Sequence, residues 1–320
     1  MNHKAKNHFS NSKILVVGGS GFIGRNLVES FRGQAGHVYS MHTSNSAFTY
    51  SDPNISNIKH DLSSESETKR VIREISPDYV FNVSGYINHS PFFREGFDVI
   101  KNHYFSTLNL INALGDINIK RYVHTGSSDE YGNLMSPQFE SHRENPMTPY
   151  SASKVAISHT LEAISHSDNF PATILKLFIV YGPHQGKGRL IPDVIQKLLA
   201  GDEIHVSSGE QKRDFCYVKD IIDAFKMSAI TEKAIGKSIN IGTGSSIPVV
   251  EIVKKIESKV GSGKVIYGGK KIRDHENLDL YPDTTIAKKI LEWQPSTDID
   301  EGIDHTIQYY RDKFKVGEGN

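Results

Sequence analysis

Apolar and polar positions along the chain alternate between two periods. Residues 13–19, "KILVVGG", form a short β-branched apolar run that ends in glycine, the pattern of a strand buried on both faces. "GFIGRNLVESF" (21–31) then carries apolar residues at helical spacing. The same exchange recurs. Strands are predicted at 37–42, 78–85, 120–127 and 171–182, and a further one ends at "HDL" (60–62). Helices are predicted at 63–75, 97–114 and 149–164. The 63–75 helix has acids early and basic residues later, as the helix dipole prefers. Strand and helix in alternation predict an α/β fold, a doubly wound parallel sheet of Rossmann type. After residue 182 the pattern loosens into a glycine-rich loop, a helix at 191–200, and short elements including a strand from 239. That part reads as a smaller C-terminal α/β substrate lobe. The expected division is a tail at 1–12, a dinucleotide domain at 13–178 with 214–242, and an interleaved lobe at 179–213 with 243–320.

Composition removes several classes of function. The chain has 320 residues, enough for two domains or one large domain with a lobe. Lys+Arg and Asp+Glu are 37 each, so there is no basic field for nucleic acid. One cysteine, Cys216, rules out an internal disulfide and suits a reducing compartment. The first residues are polar, and no run approaches the length of a membrane span, so a cytoplasmic protein without membrane contact is expected. The 15 His form no HExxH motif and there is no CxxC, so no metal site is expected.

Two motifs carry chemistry. Gly18, Gly21 and Gly24 have GxxGxxG spacing between a strand and a helix. The first permits a tight turn, the second a close approach to a pyrophosphate, the third close helix–strand packing. The helix N-terminus, with Phe22 and Ile23, faces the anion. An acid about 20 residues on commonly reads the ribose 2′-hydroxyl. Here no Asp or Glu occurs between Glu29 and Asp52, and His42 and Thr43 stand at the strand end. NADP(H) is therefore favoured over NAD(H). Asp61 and Leu62 are candidates for the adenine side, although Asp61 also suits a helix cap.

The second motif is "PYSASK", which puts Tyr150 and Lys154 on one helix face. A nearby ammonium is expected to lower the phenol's pKa so that it can exchange a proton with a carbonyl or alcohol oxygen. Ser127, at the end of the 120–127 strand, is placed to hold that oxygen.

These motifs resemble the extended short-chain dehydrogenases/reductases that act on nucleotide sugars as epimerases, dehydratases and reductases. "GGSGFIG", "SSDEYG", "YSASK", "VYGP", "RDFCYVKD" and "YPDTTIAKKILEWQP" follow the family's order across residues 13–312. The resemblance implies that Tyr150 is the acid/base, that Lys154 tunes it and holds the nicotinamide ribose, and that Ser127 binds the reacting oxygen. Asn102 falls in the helix that supports the site. Arg213 and Arg273, joined by Arg189, would clamp a nucleotide-sugar diphosphate, to which a guanidinium fork is suited. It also implies a homodimer through the 97–114 and 149–164 helices. Phe105, Leu108, Ile111, Ile157 and Leu161 are either that surface or plain core. Two departures bear on the substrate: Ile179 replaces a usual Asn, and Lys176 a common Arg.

The reaction turns on "SSDEYG". Members that eliminate water across C5 and C6 carry two further acid/base groups after the catalytic Ser/Thr, and here Ser128 and Asp129 occupy those places. Asp129 is catalytic only in a dehydratase. Glu130 is expected to point elsewhere. The stretch is similar to the "SSEEYG" of reductases acting on 4-keto-6-deoxy nucleotide sugars, and reduction of such a sugar is the first expectation. The alternatives are a 4,6-dehydratase or 4-epimerase with recycled NAD(H) and, more remotely, a non-catalytic dinucleotide-sensing module.

Overall fold

The computed structural model of the protein describes residues 8–43, 49–269 and 277–317. Its centre is a seven-stranded parallel sheet. The first six strands in the chain are β1 (Lys13–Val17), β2 (His37–His42), β3 (Ile55–Lys59), β4 (Tyr79–Asn82), β5 (Arg121–Ser127) and β6 (Ala172–Leu177). The spatial order runs from the Lys237–Ile241 strand through β6, β5, β4, β1 and β2 to β3. Strand order reverses between β1 and β4, the place where open α/β sheets hold ligands at their carboxyl ends. Four helices frame that point: α1 (Phe22–Phe31), α2 (Glu65–Ile75), α4 (Ser106–Leu114) and α5 (Pro149–Ser167), with the single turn α3 (Phe97–Ile100) leading into α4.

Why these runs become sheet is visible in the core. Ile14 and Val16 of β1 pack into one cluster with Phe81, Val123 and Leu175. Leu15 and Val17 pack into the opposite one with Val80, Tyr122 and Ile174. Successive side chains point to opposite faces, and both faces are covered, so the strands are apolar throughout. The first cluster continues without a break into Tyr181, Val194, Ile252, Trp293 and Ile303, so the C-terminal elements share one core with the sheet.

Two predicted elements differ. Residues 171–182 do not form one strand: β6 ends at Leu177, and Ile179–Tyr181 pairs with Phe215–Tyr217 in a separate two-stranded sheet. Both pieces are apolar, so hydrophobicity alone does not mark the break at Phe178. The helix expected at 97–114 begins earlier, at Phe92, and contains π turns at Phe92–Gly96 and Lys101–Phe105. Of the residues left between core and interface, Ile157 and Leu161 are buried, Leu108 and Ile111 are half-buried, and Phe105 is exposed. Among the described residues no helix is long and apolar enough to cross a membrane.

Candidate active site

The glycine loop closes β1 onto α1. Gly18 has φ +87°, and a Cβ there would lie 2.8 Å from the Ser84 backbone. A Cβ on Gly24 would lie 2.0 Å from the Gly18 carbonyl oxygen, so α1 meets the loop at a distance only glycine allows. α1 opens at Gly21 with no side-chain cap, which leaves the first helical N–H groups, from Phe22 and Ile23 onward, available to an anion. At the end of β2, the Ser40 hydroxyl and both His42 ring nitrogens are buried without a protein partner. This glycine cradle, the open helix end and the orphaned polar atoms fit a dinucleotide. Thr43 beside them is exposed. Asp61 accepts from the Ser63 N–H at 2.9 Å just ahead of α2, and Leu62 is buried with its carbonyl taking the Asn109 amide at 2.8 Å.

Tyr150 and Lys154 sit on the first turns of α5, which Thr148 caps through the Ser151 N–H and Pro149 initiates. Both side chains are buried. The Lys154 ammonium donates to the Thr125 carbonyl of β5 at 2.7 Å and lies 5.9 Å from the centre of the Tyr150 ring. Ser127, at the tip of β5, is within hydrogen-bonding reach of the Tyr150 phenol. The three groups therefore converge.

Their electrostatics differ from the expected tuning. Burial pushes the Tyr150 phenol up, the Asp129 charge adds to this, and the bond to Ser127 opposes it. Lys154 does not draw the phenol down in the protein alone, because burial brings its own pKa down to about 8. The charge of the exposed Arg189 guanidinium also acts to lower the Tyr150 pKa.

The stretch after Ser127 folds as a 3-10 turn, Ser128–Tyr131, capped by Ser127 and Glu130 on each other. It sorts two neighbouring acids to opposite sides. Glu130 is fully buried, accepts from the Ser127 N–H at 2.8 Å and the Ser158 hydroxyl at 3.0 Å, and pairs with Lys176 at 3.2 Å. Asp129 is part-exposed, and the His89 Nε2–H donates to it at 2.8 Å. Ser128 is buried.

Two histidines flank Tyr150 that sequence reasoning did not single out. His89 meets its ring edge-on at 5.9 Å and His103 at 5.2 Å. His103, in the 92–114 run, packs against Tyr150. Asn102 is exposed and donates to the Tyr86 hydroxyl at 3.1 Å, although it lines one edge of a small polar cavity shared with His103, His124 and Lys154. The signal was present: Val99, His103 and Thr107 repeat every four residues and all three are buried. Burial and the Lys154 charge lower His103 to about 3, so its ring is neutral. His89 had no such periodicity to mark it.

Of the expected phosphate clamps, Arg213 is buried in the Lys212–Arg213 strand, where its guanidinium donates to the Lys212 carbonyl at 2.7 Å. Arg273 lies outside the described residues. Among the described residues no cluster of three metal-ligating side chains occurs.

Comparison with known proteins agrees with this geometry. A family model described as "NAD dependent epimerase/dehydratase family" matches residues 14–242. The chain is 26% identical to a mouse dTDP-D-glucose 4,6-dehydratase over 94% of its own length and 89% of the other's. Its fold superposes on a UDP-glucose 4-epimerase from Thermotoga maritima, solved with UDP-glucose, with a TM-score of 0.87 and 25% identity over 94% and 99% of the two chains. A dTDP-glucose 4,6-dehydratase from Bacillus anthracis, in complex with NAD, matches with a TM-score of 0.82 and 21% identity over 95% and 98%.

Proposed function

Because the chain belongs to the NAD dependent epimerase/dehydratase family, we propose that it removes water from a nucleoside-diphosphate hexose, giving the 4-keto-6-deoxy sugar. One observation carries this choice within the family: a second carboxylate, Asp129, is linked to Tyr150 through His89, which meets the carboxylate at 2.8 Å and the Tyr150 ring at 5.9 Å. Oxidation at C4 needs a single acid/base, which Tyr150 supplies. A 4-epimerase has no further use for Asp129. Loss of the C6 hydroxyl needs a base for the C5 proton, and Asp129 is that group.

When bound, a dinucleotide would supply reversible hydride transfer with no net redox change, so NAD is the fitting form. Phe22, Ile23 and the glycine loop would hold its pyrophosphate, His42 and Asp61 would flank its adenosine end, and Lys154 its nicotinamide ribose. Tyr150 exchanges the O4 proton, and the Ser127 hydroxyl steadies the oxygen as charge develops. Arg189 and Arg213, joined by Arg273, would meet the sugar diphosphate. The exposed Phe93, Phe97 and Phe105 support a homodimer along the 92–114 run, which sedimentation would test.

Reduction of a 4-keto-6-deoxy sugar with NADPH is the second reading. It is favoured by the absence of any acid at the end of β2 and by Asp129, one methylene shorter than the glutamate usual at that place in dehydratases. Incubation of the purified protein with dTDP-glucose and UDP-glucose separates the two. Appearance of a 4-keto-6-deoxy product without added cofactor supports dehydration. No product there, together with NADPH consumption on addition of a 4-keto-6-deoxy nucleotide sugar, supports the reductase.

A further inference from the structure

Elimination of water across C5 and C6 moves protons at three places: O4, C5 and O6. Tyr150 and Asp129 serve the first two under the reading above, on which this inference rests. The third lacks an obvious donor. Ser128 is buried and carries only a hydroxyl. Glu130 is fully buried and committed to Ser127, Ser158 and Lys176. Lys154 is held on the Thr125 carbonyl.

Among the described residues, His89 touches both Asp129 and Tyr150, whereas His103 meets Tyr150 from a buried position. The His89 Nε2–H lies 2.8 Å from the Asp129 carboxylate, and its ring stands edge-on to Tyr150. The His89 and Asp129 side chains are 39% and 34% exposed, so both open to solvent rather than to the core. The loop that presents His89 is braced on either side. The Asn88 amide donates to Glu95 at 2.8 Å, and the Ser90 N–H donates to Asn88 at 2.8 Å. Those contacts fix the backbone of a residue that otherwise sits on a surface loop.

We propose that His89 is the general acid that protonates the departing C6 hydroxyl of a nucleoside-diphosphate hexose, taking the part a carboxylate at position 128 would play. As Asp129 takes the C5 proton, the C5–H electron pair passes into an enolate with the C4 carbonyl, and from there it forms the C5–C6 double bond. The C6–O bond breaks, and its oxygen leaves as water with the proton from the His89 imidazolium. Asp129 then returns its proton to C5 as the hydrogen removed from C4 arrives at C6. The proton that Tyr150 takes from O4 balances the one His89 gives to O6, and no outside oxidant or reductant is needed.

The test compares the wild-type holoenzyme with His89→Gln in D2O, using dTDP-glucose, UDP-glucose and their 6-deoxy-6-fluoro analogues. Formation of the 4-keto-6-deoxy product is expected to slow roughly 100-fold in the variant. Reduction of the bound nicotinamide and deuterium entry at C5 are expected to persist. The fluoro sugar, whose leaving group departs without a full proton, is expected to restore the rate. Turnover at the wild-type rate, or an equal loss with the fluoro sugar, overturns the role of His89 while leaving the dehydratase reading intact. A wild-type enzyme that makes no 4-keto-6-deoxy product from either glucose donor overturns both.

Discussion

The Glu130 carboxylate, which accepts from the Ser127 N–H, and the Lys176 ammonium lie 3.2 Å apart, both essentially sealed from water. Lys176 also reaches Glu144 at 3.1 Å and stands 4.8 Å over the Tyr131 ring. Removing Glu130 leaves the buried Lys176 charge with Glu144 alone, and breaking such a buried pair costs about 3–5 kcal/mol. Glu130→Ala is therefore expected to lower unfolding free energy by that order, measured by urea denaturation. Asp129→Asn, one residue earlier but part-exposed, is expected to leave stability within about 0.5 kcal/mol and to abolish C5 deuterium exchange.

Under the proposed dehydration, Tyr150→Phe removes the hydroxyl that would exchange the O4 proton and leaves the buried ring in place. Turnover is expected to fall about 10²–10⁴-fold. Dinucleotide content, measured on the purified variant, is expected to match the wild type, because the glycine loop is untouched.

The neutral His103 makes stability sensitive to acid. Its folded value is about 3 against 6.5 in an ordinary environment. Between those values the unfolded chain holds a proton that the folded chain does not, so stability falls as pH drops from 6.5 toward 3. By about pH 5 the loss from this residue is about 2 kcal/mol. His103→Asn is expected to flatten that limb in denaturation curves taken across the range. Part of the limb remains, because His124, buried beside Lys154, is also held well below its usual value. Lys154 has the same sign at higher pH: its penalty is relieved as pH rises from about 8 to 10.5.

Gly24→Ala puts a methyl 2.0 Å from the Gly18 carbonyl, where backbone rather than a flexible side chain must yield. The variant is expected to lose bound dinucleotide and about 2–4 kcal/mol of stability. Calorimetric titration with NAD and a thermal melt check the two effects separately.

His42→Asp places a carboxylate at the end of β2. It is expected to shift the ratio of NADH to NADPH affinity by at least about tenfold toward NADH, since an acid accepts the ribose 2′-hydroxyl and repels a 2′-phosphate. Fluorescence titration with both cofactors reads the ratio directly.

Much of this architecture was legible without coordinates. β2 was predicted at 37–42 and is His37–His42, and β5 differs by one residue from its expected start. Short strands covered on both faces announce themselves as continuous apolar runs, and a glycine turn and a proline-capped helix mark where they stop. The split between β6 and Ile179–Tyr181 was not legible, because both pieces are apolar and only their pairing partners differ. The packing of His103 on Tyr150 is a matter of helix phase, set by the buried positions at 99, 103 and 107.

By itself, the sequence determined the α/β class, the glycine loop, and the Tyr150–Lys154 pairing. Each depends on spacing within one element, and local geometry follows from spacing. Tertiary structure alone decided which of two adjacent acids is buried and which is part-exposed. It also brought His89 from the loop after β4 to within 2.8 Å of Asp129, forty residues away. Burial, too, is a property of the packed chain, so the direction in which Tyr150, Lys154 and His103 shift depends on everything that surrounds them rather than on their neighbours in sequence.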